Sequence, residues 1–123
     1  MNTLARRHAY GLGHRAEALA ALMLRCKGYR ILARRFASPV GEIDLVVKRG
    51  KLVAFVEVKA RASLDAAAES VRHAQRARIV RAAEAFLARH PDLMNHDMRF
   101  DAVLIAPGRL PRHLMAAFDA SPP

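Results

Sequence analysis

The residues Glu42–Lys59 read EIDLVVKRGKLVAFVEVK and hold two apolar segments on either side of a tight turn. At the centre of the turn stand Gly50 and Lys51, the Gly-X pair that is typical of a type II′ turn. We therefore predict an antiparallel β-hairpin in which Arg49 pairs with Leu52. A four-residue loop with the same centre would preserve this register.

The predicted register gathers charged side chains at one place on the hairpin. It sets Asp44 directly opposite Glu57, with Cβ atoms about 5 Å apart, and Lys59 follows on the same face. Each residue has an ordinary explanation by itself: a solvent-facing Asp, an ion pair of Glu57 with Lys59 or Arg61, and a Lys at a sheet edge. Two carboxylates placed so close repel each other, however, and a divalent cation would relieve that repulsion. The combination favours metal-assisted phosphodiester chemistry.

This hypothesis gives each residue a role. Asp44 and Glu57 are metal ligands, and the backbone carbonyl of Val58 supplies a further oxygen. Magnesium is the expected ion, because it uses one or two carboxylates and keeps water and substrate phosphates as its remaining ligands. Lys59 orients or helps to deprotonate the attacking water, or stabilises the charged transition state. Glu42 pairs with Lys59 across the hairpin and holds it in place.

The two faces of the hairpin differ in character. One face is wholly apolar and carries Ile43, Leu45, Val47, Ala54, Val56 and Val58. The other is apolar near the turn and charged at the far end, and it carries Glu42, Asp44, Val46, Lys48, Val53, Phe55, Glu57 and Lys59. We expect both faces to be covered by other parts of the chain, with a cleft over the charged end.

The rest of the chain alternates between helical and strand patterns. The expected elements are a helix over about 13–27, a strand over 29–36, the hairpin, a helix over about 65–89, a strand over 98–106 and a short element over 113–118. In the first helix, Leu19, Leu22 and Met23 show the apolar spacing of an α-helix. The order α-β-β-β-α-β predicts an α/β fold with one mixed central sheet flanked by helices. We expect a single domain over residues 1–123, in which residues 1–8 form a mobile basic tail.

The charge of the chain favours an acidic partner. Lys and Arg total 21 against 11 Asp and Glu, which gives a formal net charge of +10 over 123 residues. Nucleic acid fits this charge best, and an anionic membrane surface is a weaker alternative. The arginines that we expect to contact phosphate are Arg6, Arg7, Arg15, Arg61, Arg78 and Arg81, for which a solvated surface is an equal alternative.

The cysteines and histidines of the chain exclude some kinds of covalent and metal site. Cys26 is the only cysteine, which excludes an intramolecular disulfide and a cysteine-based zinc site within one chain. No segment has the pattern of a signal peptide or the length of a membrane span, so we expect a cytoplasmic protein. The histidines show no metal-ligand spacing and are expected at the surface or in loops; they are His8, His14, His73, His90, His96 and His113.

The spacing Asp-x12-Glu-x-Lys resembles the nuclease core known by its PD-(D/E)xK motif. Flanking segments narrow the resemblance to the YraN-like family of small bacterial endonuclease-like proteins, which is similar to archaeal Holliday-junction resolvases. These segments cover nearly the whole chain and read GEIDL at 41–45, FVEVKAR at 55–61, RFD at 99–101, Gly13-x3-Glu17-Ala18 and Gly28-Tyr29. There are two departures. Ile43 replaces the Pro of the motif's name, and residues 35–37 read Arg-Phe-Ala where the family often has Asn-x-Arg.

The resemblance implies a restriction-endonuclease-like fold and a Mg²⁺-dependent DNA endonuclease, with Mn²⁺ as a substitute and branched or damaged DNA as the substrate. Asp44, Glu57 and Lys59 would form the catalytic core. Glu17 would join the metal site from the first helix, and Gln75 would lie near it. A homodimer is also implied, because a four-way junction has two-fold symmetry. The alternatives are a non-catalytic nucleic-acid-binding module on a nuclease scaffold, and a protein whose basic surface binds an acidic protein.

Overall fold

A mixed β-sheet forms the centre of the computed structural model, which describes residues 3–72 and 76–118, with side chains from residue 14 onward. In chain order the elements are α1 (Thr3–Cys26), β1 (Arg30–Ser38), β2 (Gly41–Arg49), β3 (Leu52–Ala60), α2 (Leu64–Arg72), α3 (Arg76–Ala88), a 3₁₀ turn (Pro91–Leu93), β4 (Asp97–Ile105) and β5 (Arg112–Phe118). Within the described residues the sheet has five strands, which lie side by side in chain order. Only β3 and β4 run parallel; the other neighbours are antiparallel. The α/β fold class and its mixed sheet are thus confirmed.

The turn at Gly50 sets the register of the β2–β3 hairpin as the sequence predicts. Arg49 pairs with Leu52, and the regular pairing continues to Leu45 opposite Val56. Among the described residues the backbone pairing stops there, one position short of the predicted pair of Asp44 with Glu57. Gly50 has a φ of +60°, while Lys51 stays outside the positive-φ region. This combination fits a type II′ turn, in which only the first central residue needs the left-handed side of backbone space.

Helices cover both faces of the sheet, as the two faces of the hairpin predict. The helix α1 packs on one face, over a cluster that includes Leu45, Val47, Ala54, Val56 and Val103. The helix α3 packs on the other face, over a cluster that includes Val46, Val53, Phe55, Phe86 and Phe100. A parallel β3–β4 pair needs a crossover connection, and α2 and α3 provide it. The apolar residues of the hairpin are therefore core residues on both faces.

The helix α1 buries a different stripe from the one that its large apolar residues mark. Leu19 and Leu22 are 40% and 57% exposed, whereas the residues that face the sheet are Ala16, Ala20, Ala21 and Leu24. Small Ala side chains let the helix backbone lie close to the strands, so the leucines beside them point outward. The helix also begins at Thr3, so residues 3–8 have helical backbone where the sequence suggested a tail; residues 1 and 2 lie outside the described residues.

The segment predicted as one long helix contains both α2 and α3, and residues 73–75 between them lie outside the described residues. In the sequence, Ile79, Ala83, Phe86 and Leu87 have the spacing of one buried helix face. In α3 the first three are buried, and Leu87 is partly buried against the same core. The short C-terminal element is the edge strand β5. Among the described helices, each is too short or too polar to cross a membrane.

Candidate functional site

The strand β2 is irregular at Asp44. In the described chain, the backbone pairs with β1 pass from Leu45 to Ile43, and those with β3 end at Leu45. Ile43 packs with the core under α3, whereas Leu45 packs with the core under α1. The prediction that Ile43 and Leu45 share one face is therefore wrong. Strand alternation places residues two apart on one face only while the pleat is regular, and the pleat is interrupted at the residue between them.

Arg35 on β1 lies between the same two backbone pairs as Asp44, and its own backbone is unusual. Its φ is +53°, a left-handed conformation that few residues other than glycine adopt and that Asn adopts more readily than Arg. The position is the one where the YraN-like family often has Asn, so the departure noted in the sequence falls on a strained backbone site. The Nε of Arg35 donates to Oε2 of Glu17 at 2.9 Å. The predicted metal ligand on α1 is thus held in an ion pair.

The Asp44 carboxylate lies against β3. Its Oδ2 accepts a hydrogen bond from the backbone N–H of Val58 at 2.8 Å. This bond holds the Asp44 side chain in one orientation. Burial raises the pKa of Asp44 above its ordinary value, and the charges of Glu17 and Glu42 raise it further. The Val58 hydrogen bond and the charge of Lys59 oppose that rise. Asp44 is therefore a positioned carboxylate whose negative charge is poorly solvated.

Glu57 and Lys59 stand beside it on β3. The Glu57 side chain is 12% exposed, and its Oε2 lies 3.8 Å from Nζ of Lys59. Burial, and then the charge of Asp44, raise the pKa of Glu57 to about 7, against the opposing charge and hydrogen bond of Lys59. Among the described residues, the ion pair that Lys59 forms is with Glu57 rather than with Glu42. The ion pair with Lys59 that was considered for Glu57 is therefore present.

The acids of this site shift one another's pKa, but the described residues do not surround a metal position with three or more ligands. Glu17, Glu42, Asp44 and Glu57 are near enough for their charges to shift the pKa of Asp44 or Glu57. Yet no group of three or more Asp, Glu, His or Cys side chains in the described part of the chain is arranged to hold a metal ion. A site with two carboxylates, the kind that Mg²⁺ uses when water fills its other positions, fits Asp44 and Glu57. The role of Glu17 as a further metal ligand stays a prediction.

The remaining predicted site residues are distributed around the molecule. Arg15 and Arg61 are exposed near the carboxyl end of β3, and Arg78 and Arg81 are exposed on α3. The side chains of Arg6 and Arg7, and the whole of Gln75, lie outside the described residues. The structure thus brings the acids and Lys59 together, while the predicted phosphate contacts lie at more than one surface.

A second polar cluster lies on β4 and β5, and the sequence did not identify it. Asp101 is fully buried and accepts four hydrogen bonds. Arg99 donates through Nε at 2.7 Å and through Nη2 at 2.8 Å, His113 donates through Nε2 at 2.7 Å, and the Ala116 amide donates at 3.0 Å. Burial acts to raise the pKa of Asp101, but the bonds from His113, Arg99 and Ala116 outweigh it and lower the pKa to about 2.

This cluster corrects the expectation for one histidine. The His113 side chain is 2% exposed, so it is neither a surface nor a mobile loop group. Because its Nε2 donates to Asp101, its Nδ1 is free to accept, and Nζ of Lys27 lies 2.6 Å from it. A signal was present in the sequence: Arg99 and Asp101 alternate onto the same face as Val103, where a core residue is expected.

Comparison with known proteins places the chain in a family. The model of the uncharacterised protein family UPF0102 matches residues 16–105. A UPF0102 protein of Bradyrhizobium sp. (strain ORS 278) is 61% identical over 114 residues, which cover 93% of this chain and 81% of that protein. A UPF0102 protein of Rhodopseudomonas palustris (strain BisB5) is 60% identical over 114 residues, 93% of this chain and 87% of that protein. The chain therefore belongs to the UPF0102 family, which is the YraN-like family that its motifs resemble.

Proposed function

We propose that this protein is a Mg²⁺-dependent DNA endonuclease of the PD-(D/E)xK type, acting on branched or damaged DNA. The observation that carries the proposal is the pair of poorly solvated carboxylates, Asp44 and Glu57, with the Lys59 ammonium beside them. Burying two acids together destabilises a fold unless their charge is compensated. A function that uses a cation at this place explains why the acids are there.

In this mechanism Asp44 and Glu57 would hold the metal through carboxylate oxygens. A divalent cation held there would supply polarisation of the phosphate and activation of a water molecule. The Val58 amide keeps Asp44 in position, so binding does not first require that side chain to be ordered. Lys59, when released from Glu57, places a positive charge where negative charge develops on the phosphate. Glu42 adds negative potential, and Glu17 stays with Arg35 in the outer part of the site.

The central experiment measures cleavage of four-way junction, flap and nicked DNA by wild type and by Asp44→Ala, in Mg²⁺ or Mn²⁺. Asp97→Ala is the matched control, because Asp97 is an exposed Asp on β4. We expect cleavage by wild type and Asp97→Ala and loss of cleavage in Asp44→Ala. Calorimetric titration with MgCl₂ gives an independent reading of the metal site. If wild type and Asp44→Ala behave alike on every substrate and bind Mg²⁺ equally, the proposal is wrong.

A second candidate function is a nucleic-acid-binding module that uses the nuclease scaffold without cleavage. The net charge of +10 favours it independently of the acids. Such a module would bind DNA with a strong dependence on salt and no dependence on EDTA. Binding that weakens on addition of EDTA at constant ionic strength would separate the enzyme from the module.

Two further features of the proposal follow from the same chemistry. A four-way junction is two-fold symmetric, so we expect two copies of the chain to act on it together. A cytoplasmic location fits both a DNA substrate and the free, exposed thiol of Cys26.

A further inference from the structure

Three clefts follow one another around the β4–β5 connection, residues 106–111. The first, of about 460 Å³, lies between α1 and the ends of β3 and β4 and is lined in part by Arg15 and Arg61. The second, of about 380 Å³, shares Ala62, Ala106 and Pro107 with the first. The third, of about 650 Å³, shares Leu64, Arg109 and Arg112 with the second. Each cleft shares lining residues with the next, and we name the three clefts together the basic groove.

The groove carries an excess of positive charge. Its lining includes the five cationic side chains of Arg15, Lys27, Arg61, Arg109 and Arg112, and one carboxylate, that of Asp65. Within the described residues, none of these five cations forms a salt bridge. Two of them have neutral hydrogen-bond acceptors. Arg61 donates to the backbone carbonyl of Ala60, and Lys27 donates to the ring of His113. Their charges therefore remain available to an anionic ligand.

One wall of the groove is rigidly built. His113 lines the third cleft, yet its side chain is almost wholly buried because Asp101 holds its Nε2. Its Nδ1 then accepts from the Lys27 ammonium at 2.6 Å, which draws Lys27 from the end of α1 onto the wall. The Lys27 side chain is long and would otherwise be mobile in solvent. The buried cluster on β4 and β5 thus positions a cation.

From this arrangement we infer that the basic groove binds the phosphodiester backbone of a DNA strand. The cations are spread along a groove rather than converging on one point, which suits a polymer with regularly spaced phosphates better than a single small anion. The inference rests on the proposed function in one respect: the groove reaches Arg61, two residues after Lys59, so it would hold DNA close to the candidate site. It assigns binding roles to Lys27, Arg109 and Arg112, which the sequence did not suggest.

The test compares two double variants with equal charge. Arg109→Gln/Arg112→Gln removes two cations from the groove, and Arg30→Gln/Lys51→Gln removes two exposed cations near the β2–β3 turn. Both lower the formal net charge from +10 to +8. Binding to a fluorescent DNA duplex is measured by anisotropy in EDTA over a range of KCl concentrations, so that no cleavage interferes. Circular dichroism checks that each variant is folded.

We expect the groove double variant to bind roughly tenfold or more weakly, and the slope of log K against log [KCl] to fall in magnitude by about 2. The control double variant should stay close to wild type in both. Equal losses in the two variants would overturn the inference, because they would show that only total charge matters. The inference would also be overturned, in favour of a membrane surface, if the groove double variant lost binding to phosphatidylserine vesicles but bound DNA as wild type does.

Failure of the groove and failure of the proposed function give different results. A wild type that binds through the groove but cuts none of the substrates in Mg²⁺ or Mn²⁺ refutes the nuclease and supports the groove. A wild type that cuts DNA, together with a groove double variant that binds like the control, refutes the groove and supports the nuclease.

Discussion

The substitution Glu57→Gln tests the electrostatics of the candidate site without requiring any cleavage. Burial, and then the charge of Asp44, raise the pKa of Glu57 from 4.5 to about 7 on folding. A carboxyl group with a raised pKa holds its proton more tightly in the folded state than in the unfolded state. Without a divalent cation, the free energy of unfolding that Glu57 contributes must therefore fall as the pH rises from about 4.5 to about 7.

The size of this effect follows from the two pKa values. The difference between 4.5 and about 7 corresponds to about 3 kcal/mol once the pH exceeds both. The Glu57 side chain is only 12% exposed, so solvent screening reduces this figure little. Gln has nearly the same shape and carries no charge at any pH. Glu57→Gln should thus match wild type near pH 4.5 and exceed its free energy of unfolding by about 3 kcal/mol at pH 8.

Urea unfolding in EDTA at several pH values between 4.5 and 8 measures this difference. With a slope of about 1–3 kcal/mol per molar urea, the midpoint of Glu57→Gln should lie roughly 1–3 M above that of wild type at pH 8. Glu84→Gln, at an exposed position of α3, is the matched control and should show no such trend. Added MgCl₂ should stabilise wild type at pH 8 and leave Glu57→Gln unchanged. A wild-type-to-variant difference that is the same at pH 4.5 and pH 8 refutes the reasoning.

Three further substitutions probe other parts of the molecule. Asp101→Asn leaves the donors around a buried carboxylate partly unpaired, so urea unfolding should show a loss of about 3–5 kcal/mol; a loss no larger than that of exposed Asp97→Asn would contradict this. Lys59→Gln should lower the cleavage rate about 10²–10³-fold while MgCl₂ titration shows undiminished metal binding, and a parallel loss of metal binding would instead make Lys59 part of the metal site. In Gly41→Ala, the added Cβ would lie 2.9 Å from the backbone carbonyl oxygen of Arg78. Urea unfolding should therefore show a loss of about 1–3 kcal/mol, and unchanged stability would mean that α3 can move away.

The sequence predicted the hairpin correctly because its register is set locally, by the turn at Gly50. Gly50 in a two-residue turn fixes the register, and the register follows along the strands to Leu45 and Val56. The same rule gave a wrong face for Ile43, because the pleat is interrupted at Asp44, where the neighbouring strand has a positive φ at Arg35. A single strand read by alternation contains no information about a positive φ in its partner. The prediction of faces therefore failed beside Asp44, a residue of the candidate site.

Two other differences between prediction and structure also arise from tertiary contacts. The apolar spacing of α1 singled out leucines, but close packing on the sheet selected the small residues Ala16, Ala20 and Ala21 instead. His113 is one of six histidines without any special spacing, and only the β4–β5 pairing brings it to Asp101. Sequence alternation could place Asp101 on a buried face, yet it could not name the partners that neutralise it. Long-range pairs of this kind are set by the register of strands that are distant in sequence.

The candidate site and the basic groove have opposite signs of charge, and this opposition bears on how they would work together. A phosphate backbone is attracted by Arg61, Arg109 and Arg112 but repelled by the buried charges of Asp44 and Glu57. In the proposed function, a cation held by the two acids would remove that repulsion, so the metal and the DNA would favour each other's binding by the same free energy. The ion pair of Lys59 with Glu57 and the raised pKa of Glu57 themselves reduce the negative charge of the acids. On this proposal the basic chain would hold DNA near the acids with or without the metal, while chemistry at the phosphate would require the metal.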